Sequence, residues 1–260
     1  MKRALTIAGS DSGAGAGIQA DLKTFAARGV YGTSVITAIT AQNTRGVTGV
    51  LELPLDIIQA QFDAVLSDIG TDAVKTGMLS SAPIIELIGT KAREWGIERL
   101  VVDPVMVAKG GDRLLREDAV TALRETLLPL ALVLTPNLPE AEVLTGYEVR
   151  TREQMERAAR EIAAMGVRNV VVKSGHAEGP PVDLLFDGRV FTEYPAERIE
   201  SRNTHGTGCA FSAAIAAELA KGLGVPEAVG EAKRYVTEAI RQAPEIGGGH
   251  GPLNHFPAYE

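Results

Sequence analysis

The segment Asn203-Thr204-His205-Gly206-Thr207-Gly208-Cys209 concentrates the chemistry of this chain. Gly206 and Gly208 lead into Cys209, the only cysteine, and then into an Ala-rich helical pattern over 210–221. Glycines at a helix start let a ligand approach the backbone, and the N–H groups of a first turn have no intrahelical partner. With the partial positive charge of the helix end, such a turn binds anions, phosphates above all. The same field favours the thiolate of a cysteine placed there. Gly206, Thr207, Gly208 and Cys209 could therefore hold a phosphoryl group with a base beside it. They read equally as a tight turn followed by a small buried thiol.

Further candidates stand where apolar runs end. Asp103 follows Leu100-Val101-Val102, and Asn137-Leu138-Pro139-Glu140 follows Leu132-Val133-Leu134. Mg²⁺ takes oxygen ligands and keeps several waters, so Asp103, Asn137 and Glu140 would suffice beside substrate phosphates. The competing reading makes Asp103-Pro104 a turn and Asn137 a helix cap. Lys173 ends Asn169-Val170-Val171-Val172 and could reach a phosphate, or be a solvated surface charge. Gln42 offers a donor and an acceptor side by side, matching an amino group next to a ring nitrogen. Met78 and Val105 could flank a flat ring or belong to the core. The Gly-rich loop Gly9-Ser10-Asp11-Ser12-Gly13-Ala14-Gly15-Ala16-Gly17 permits close ligand approach. It fails the dinucleotide fingerprint, because Ile18 stands at the third glycine position.

These residues need a scaffold of strands. Strands are expected at Leu5-Thr6-Ile7-Ala8, at 34–39, at Ala73-Val74-Lys75 and at the three apolar runs above. Helices are expected near 16–28, from Pro54 to about Asp68, and near 81–95, 117–128, 208–221 and 226–242. Thr151-Arg152-Glu153-Gln154 matches a capping box and starts a helix to about Met165. Residues 182–193 read as a hairpin turning at Asp187-Gly188. Apolar strands alternating with helices predict an α/β fold of one domain, with a mostly parallel sheet covered on both faces. Ligands of such sheets bind beyond the carboxyl ends of the strands.

Bulk composition narrows the classes. A hydrophobic content of 45% with 5% aromatics over 260 residues supports one core of Val, Ile, Leu and Ala. The net charge of −7 argues against sequence-independent nucleic-acid binding. No apolar run is long enough to span a bilayer. A single cysteine fits a reducing, cytoplasmic setting.

The motifs together resemble hydroxymethylpyrimidine/phosphomethylpyrimidine kinases. The resemblance is carried by 7–11 and 15–23, Thr40-Ala41-Gln42-Asn43-Thr44, Lys75-Thr76-Gly77-Met78, Asp103-Pro104-Val105-Met106, 135–142, Val172-Lys173-Ser174-Gly175-His176, 203–209 and 249–255. It spans nearly the whole chain. It implies a three-layer ribokinase-like fold and two successive ATP-dependent phosphorylations, first of 4-amino-5-hydroxymethyl-2-methylpyrimidine and then of its monophosphate. By resemblance, Gln42 binds the aminopyrimidine with Gly9, Asp21, Met78 and Val105 around it. Lys173 and Thr204 would meet the nucleotide phosphates, and Asn137, Glu140 and Asp103 would manage Mg²⁺. Gly206 to Cys209 would supply the anion hole and the base, and a homodimer is expected. Ala14 and Ser174 depart from the family, which commonly has Gly at both places. A pyridoxal-type kinase of the same fold, alone or as a second activity, is the nearest rival. A dinucleotide oxidoreductase and a non-catalytic sensor are the other classes weighed.

Overall fold

The computed structural model describes residues 1–106, 117–175 and 181–258. Among them, strands β1 (Arg3–Asp11), β2 (Tyr31–Asn43), β3 (Gly46–Glu52), β4 (Ala73–Thr76), β5 (Leu100–Val102), β6 (Val133–Leu134), β7 (Asn169–Val172), β8 (Val182–Phe186) and β9 (Phe191–Pro195) form one sheet. Its order is β3-β2-β1-β4-β5-β6-β7-β8-β9. The six strands from β2 to β7 run parallel, and β3, β8 and β9 are antiparallel additions at the two edges.

Helices α1 (Gly17–Ala27), α2 (Leu55–Asp68), α3 (Ala82–Glu94), α4 (Glu117–Ala122), α5 (Leu138–Thr145), α6 (Arg152–Ala164), α7 (Thr207–Lys221) and α8 (Val225–Arg241) connect the strands. Side chains alternate along each strand, so one sheet feeds two cores. Leu100 and Val102 enter the core shared with α2 to α6, while Val101 between them enters the core shared with α1, α7 and α8. Helix α7 is buried from Ala210 through Ala220, and its small side chains let it lie between the sheet and its helical neighbours. The expected three-layer, mostly parallel fold is the fold observed.

The chain leaves β1 to build β2 on one side, then crosses to β4 on the other. Strand order therefore reverses between β1 and β4, and a crevice opens there beyond the strand carboxyl ends. The capping box at Thr151 and Gln154 and the hairpin turn at 187–188 are present.

Two local expectations need correction. Strand β2 is longer than 34–39 and carries an unforeseen partner, β3. Gly46 and Gly49 dilute the β signal of that segment; pairing with the β2 edge supplies the order that propensity does not. The helix near 117–128 changes at Leu123–Leu127 into one wider π turn and then a 3-10 turn at Leu128–Leu130. Pro129 lacks the N–H that a continuing helix would use. His176 of the resemblance lies outside the described residues. Among the described residues no helix is long and apolar enough to cross a membrane.

Ala14 holds a positive φ of 58° in the loop between β1 and α1. A Cβ is strained there by about 1–2 kcal/mol, partly offset by the extra freedom glycine gives the unfolded chain. Ala14→Gly is expected to raise the melting temperature by about 2 °C, read by scanning calorimetry. A lower temperature would show that the loop is not strained at this position.

Candidate functional site

Helix α7 begins at a glycine that only glycine can be. Gly206 has φ +80°, and a Cβ on it would lie 1.8 Å from the carbonyl oxygen of Gly15. The Gly-rich loop after β1 is thereby pressed against the start of α7. The amides of Gly208 and Cys209 come before the first intrahelical bond, from Ala210 N to the Gly206 carbonyl. The Thr207 hydroxyl donates to the Thr204 carbonyl at 2.7 Å and tightens the turn.

Lys173 and Asp103 back this turn. A Cβ on Gly208 would lie 3.3 Å from Lys173 Nζ and 3.7 Å from Asp103 Oδ2. Lys173 and Asp103 are paired at 3.2 Å. Burial alone would pull the Lys173 ammonium down, but Asp103 and Glu140 hold it above its usual value. Strand ends deliver both: β5 stops just before Asp103 and β7 just before Lys173.

Asn137 and Glu140 form a reciprocal capping box at the start of α5. Asn137 Oδ1 accepts from Glu140 N at 2.9 Å, and Glu140 Oε2 accepts from Asn137 N at 2.8 Å. The helix-cap reading of Asn137 is therefore correct, and it aims Glu140 inward. Glu140 is buried, and its carboxyl is pushed up to about 7 by burial and by Asp103, against the pull of Lys173.

Cys209 corrects an expectation. Its thiol is pushed up to about 11, first by burial and then by Asp21 and Asp103; Lys75 and the Gly17 N–H oppose this. A helix end supplies at most about 2 kcal/mol, roughly 1.5 pH units, which does not overcome that burial. The resting sulfur carries its proton.

Asp21 corrects a second. It is not a wall residue of the pocket: its carboxylate is fully buried and holds Lys75 Nζ at 2.8 and 3.0 Å and the Thr6 hydroxyl at 2.5 Å. Lys75 lines the pocket instead. Burial would lower the Lys75 ammonium, yet the neighbouring negative charge of Asp21 holds it above its usual value. A lysine inside an apolar strand was the overlooked signal, since a buried ammonium requires a carboxylate.

All of this surrounds one cavity of about 410 Å³ at the strand carboxyl ends. Gln42, Gly9, Met78 and Val105 line one part of it, and Asp103, Asn137, Glu140 and Lys173 another. Thr204, Gly206, Thr207, Gly208 and Cys209 complete the wall. Every expected site residue except Asp21 is thus brought to one place. His205 and Asp11 were given no role by the sequence reading and also line the cavity. Asp11 accepts from the N–H groups of Gly13, Gly15 and Ala16 at 2.8, 3.1 and 2.8 Å and so shapes the Gly-rich loop. An Asp at the head of a glycine run was the available signal.

Gln42 is fixed by its backbone. Its N–H donates to Ser12 Oγ at 2.8 Å, and the Ser12 hydroxyl lies 2.7 Å from its carbonyl oxygen. A flat ring with an amino group beside a ring nitrogen would meet the amide here, with Met78 and Val105 for apolar contact. Gln42→Leu is expected to weaken binding of 4-amino-5-hydroxymethyl-2-methylpyrimidine by about 1–3 kcal/mol, because ring polar groups lose their partner. Titration calorimetry reads this, and unchanged affinity would remove Gln42 from that role.

Residues 11–254 match the family model described as phosphomethylpyrimidine kinase. The chain is 58% identical over 257 residues to the hydroxymethylpyrimidine/phosphomethylpyrimidine kinase of Rhizobium meliloti, covering 97% of this chain and 96% of that protein. It is 55% identical to the thiamine biosynthesis bifunctional protein ThiED of Geobacter sulfurreducens, with 98% of this chain aligned but only 52% of that longer protein. Among solved structures, an ADP complex of Bacillus subtilis pyridoxal kinase superimposes with a TM-score of 0.92 at 44% identity, covering 98% of this chain and 97% of the other.

Proposed function

The chain belongs to the phosphomethylpyrimidine kinase family, and from that premise we propose how its cavity carries out the family's two phosphorylations. It is an ATP-dependent kinase of thiamine biosynthesis, acting on 4-amino-5-hydroxymethyl-2-methylpyrimidine and then on the resulting monophosphate. One observation carries the assignment of roles: the α7 N-terminus, the Lys173–Asp103 pair and Cys209 share a single cavity with Gln42.

Phosphoryl transfer passes through a loose transition state, so positioning and charge neutralisation dominate. Gln42 orients the pyrimidine, and Gly9, Met78 and Val105 shape its slot. The amides of Gly208 and Cys209, in the turn that Gly206 and Thr207 shape, receive the migrating phosphoryl group. Lys173 offsets its charge, and Thr204 lies beside the phosphates. Cys209, in its thiolate form, which is the minor one at neutral pH, takes the proton that the hydroxymethyl oxygen sheds in the first step.

The oxygen donors of this cavity fit Mg²⁺. Among the described residues no three His, Cys, Asp or Glu side chains gather into a metal cage, so an ion would complete its shell with water and phosphate oxygens, as Mg²⁺ does. Glu140, whose carboxyl is raised to about 7 by burial and by Asp103, would be the ligand, with Asp103 and Asn137 holding the waters of the ion. When bound, the ion neutralises phosphate charge.

A homodimer belongs to the same proposal. On the outer sheet edge Ile39 of β2 pairs with Leu51 of β3, and both are exposed. Light scattering is expected to give twice the 27.4 kDa chain mass. Residence in the reducing cytoplasm is also part of it, since Cys209 works as a free thiol.

The likeness to a pyridoxal kinase favours pyridoxal as the second acceptor to test. ADP release is measured with the aminopyrimidine, its monophosphate and pyridoxal in competition. The reading requires turnover of both pyrimidines and their preference over pyridoxal. Preference for pyridoxal would replace it with the vitamin B6 kinase reading.

A further inference from the structure

His205 touches both the loop that follows β1 and the residue assigned to the pyrimidine. Its Nε2 lies 2.9 Å from Asp11 Oδ2 and 3.3 Å from the Gln42 amide. An ionised carboxylate only accepts, so the ring nitrogen facing it carries the proton. Asp11 is kept ionised: burial works against its charge, but hydrogen bonds from His205 and from the Ala16 and Gly13 N–H groups hold its carboxyl below the usual range.

A protonated Nε2 cannot also accept from an amide N–H. The Gln42 atom turned toward His205 is therefore its carbonyl oxygen. A half-turn of the terminal amide exchanges oxygen and nitrogen with almost no change of shape. The NH₂ group then faces Thr40 Oγ1 at 3.1 Å. That hydroxyl donates to the Ser10 carbonyl at 2.9 Å and keeps a lone pair for the amide. One N–H and one lone pair of Gln42 remain for a ligand, in a fixed order. Their complement is an amino group beside a ring nitrogen. A ring without the amino group leaves the lone pair unmatched.

The imidazole is held from other sides as well. The His205 main-chain N–H donates to the Gly251 carbonyl at 3.0 Å and fixes the backbone that carries the ring, and a Cβ on Gly15 would lie 2.4 Å from His205 Cδ2.

We propose that His205, anchored on Asp11, is a positioning residue that sets which way the Gln42 amide faces and thereby the choice of an aminopyrimidine edge over a pyridoxal-type ring. The proposal rests on Gln42 being the pyrimidine contact.

Nitrogen-15 NMR of the wild-type protein labelled at histidine, assigned with His205→Gln, reads the tautomer directly. A protonated Nε2 on His205 near neutral pH is expected, and a bare Nε2 overturns the proposal. Kinetics follow with two variants. His205→Leu is expected to raise KM for the aminopyrimidine about tenfold or more, leaving KM for pyridoxal and ATP and the saturated rate nearly unchanged. His205→Gln, which can still donate to Asp11, is expected to recover most of the loss. An unchanged pyrimidine KM in His205→Leu, or an equal loss with pyridoxal and ATP, overturns it. Should that variant not fold, the tautomer measurement decides alone. Gln42→Leu separates the two levels. If it loses pyrimidine affinity while His205→Leu does not, only the present inference fails; if it loses none, the underlying role of Gln42 fails.

Discussion

Cys209→Ala is expected to slow the first phosphorylation by about 10²- to 10⁴-fold, the usual contribution of a positioned base, and the second far less. The acceptors differ in one proton. The hydroxymethyl group must lose its proton to become a phosphate ester. The monophosphate has a second pKa near ~6 and is already largely ionised at neutral pH. On the proposed roles, only the first step would need the sulfur as a base.

The pH dependence follows from burial. With the thiol pushed up to about 11, the thiolate is the minor form at neutral pH. Its fraction grows tenfold for each pH unit below that value. The first-step rate should therefore climb from about pH 7 to about pH 10. The second-step rate should be flat over that range, and Cys209→Ala should lack the climb. Rates measured separately with each acceptor across this range provide the check. Equal losses in both steps, a larger loss in the second, or a climb that survives in Cys209→Ala would each refute the role.

The second large effect is structural. Asp21 and Lys75 are both fully buried and paired at 2.8 Å beneath the cavity. Removing one partner of such a pair leaves an uncompensated charge and costs about 3–5 kcal/mol. Asp21→Leu is expected to lower the melting temperature by about 10 °C, at roughly 2–4 °C per kcal/mol for a chain of this size. The double variant Asp21→Leu with Lys75→Met replaces the pair by apolar groups and should recover most of that loss. A single variant within about 1 kcal/mol of wild type would show that the pair contributes little.

The Lys75 ammonium is held above its usual value, so its stabilisation is fully present below the unfolded value near ~10.4 and fades only as pH rises through the higher folded value. Denaturation at neutral pH therefore reads the pair with Lys75 charged, while burial holds the Asp21 carboxyl above its usual range. Lys75 also draws the Cys209 thiol downward. Lys75→Met should accordingly slow the first phosphorylation more than the second.

Much of the architecture was legible because burial periodicity is local. The run Leu100-Val101-Val102 sends alternate side chains into two cores, which requires a strand covered on both faces. Caps and turns were legible for a similar reason, since Thr151 and Gln154 satisfy neighbouring amides. The edge strand β3 was not legible. Val50 and Leu51 are exposed, and the pairing partner lies in β2, whose end the sequence pattern placed too early.

By itself the sequence determined the α/β alternation, the glycine-lined start of α7 and which polar residues stand at strand ends. Each follows from the chain's own spacing, and the family resemblance added roles to them. Folding alone decided which of those groups face the ligand and in what protonation state. Asp21 was drawn below the cavity by Lys75, and Asn137 became a cap for the helix that carries Glu140. His205 came to lie between Asp11 and Gln42, residues 194 and 163 positions away. Cys209 kept its proton because partial burial beside Asp21 and Asp103 disfavours the thiolate, and no helix dipole is strong enough to reverse that. Solvation and charge pairing depend on what lies within a few ångströms in space, which spacing along the chain does not specify.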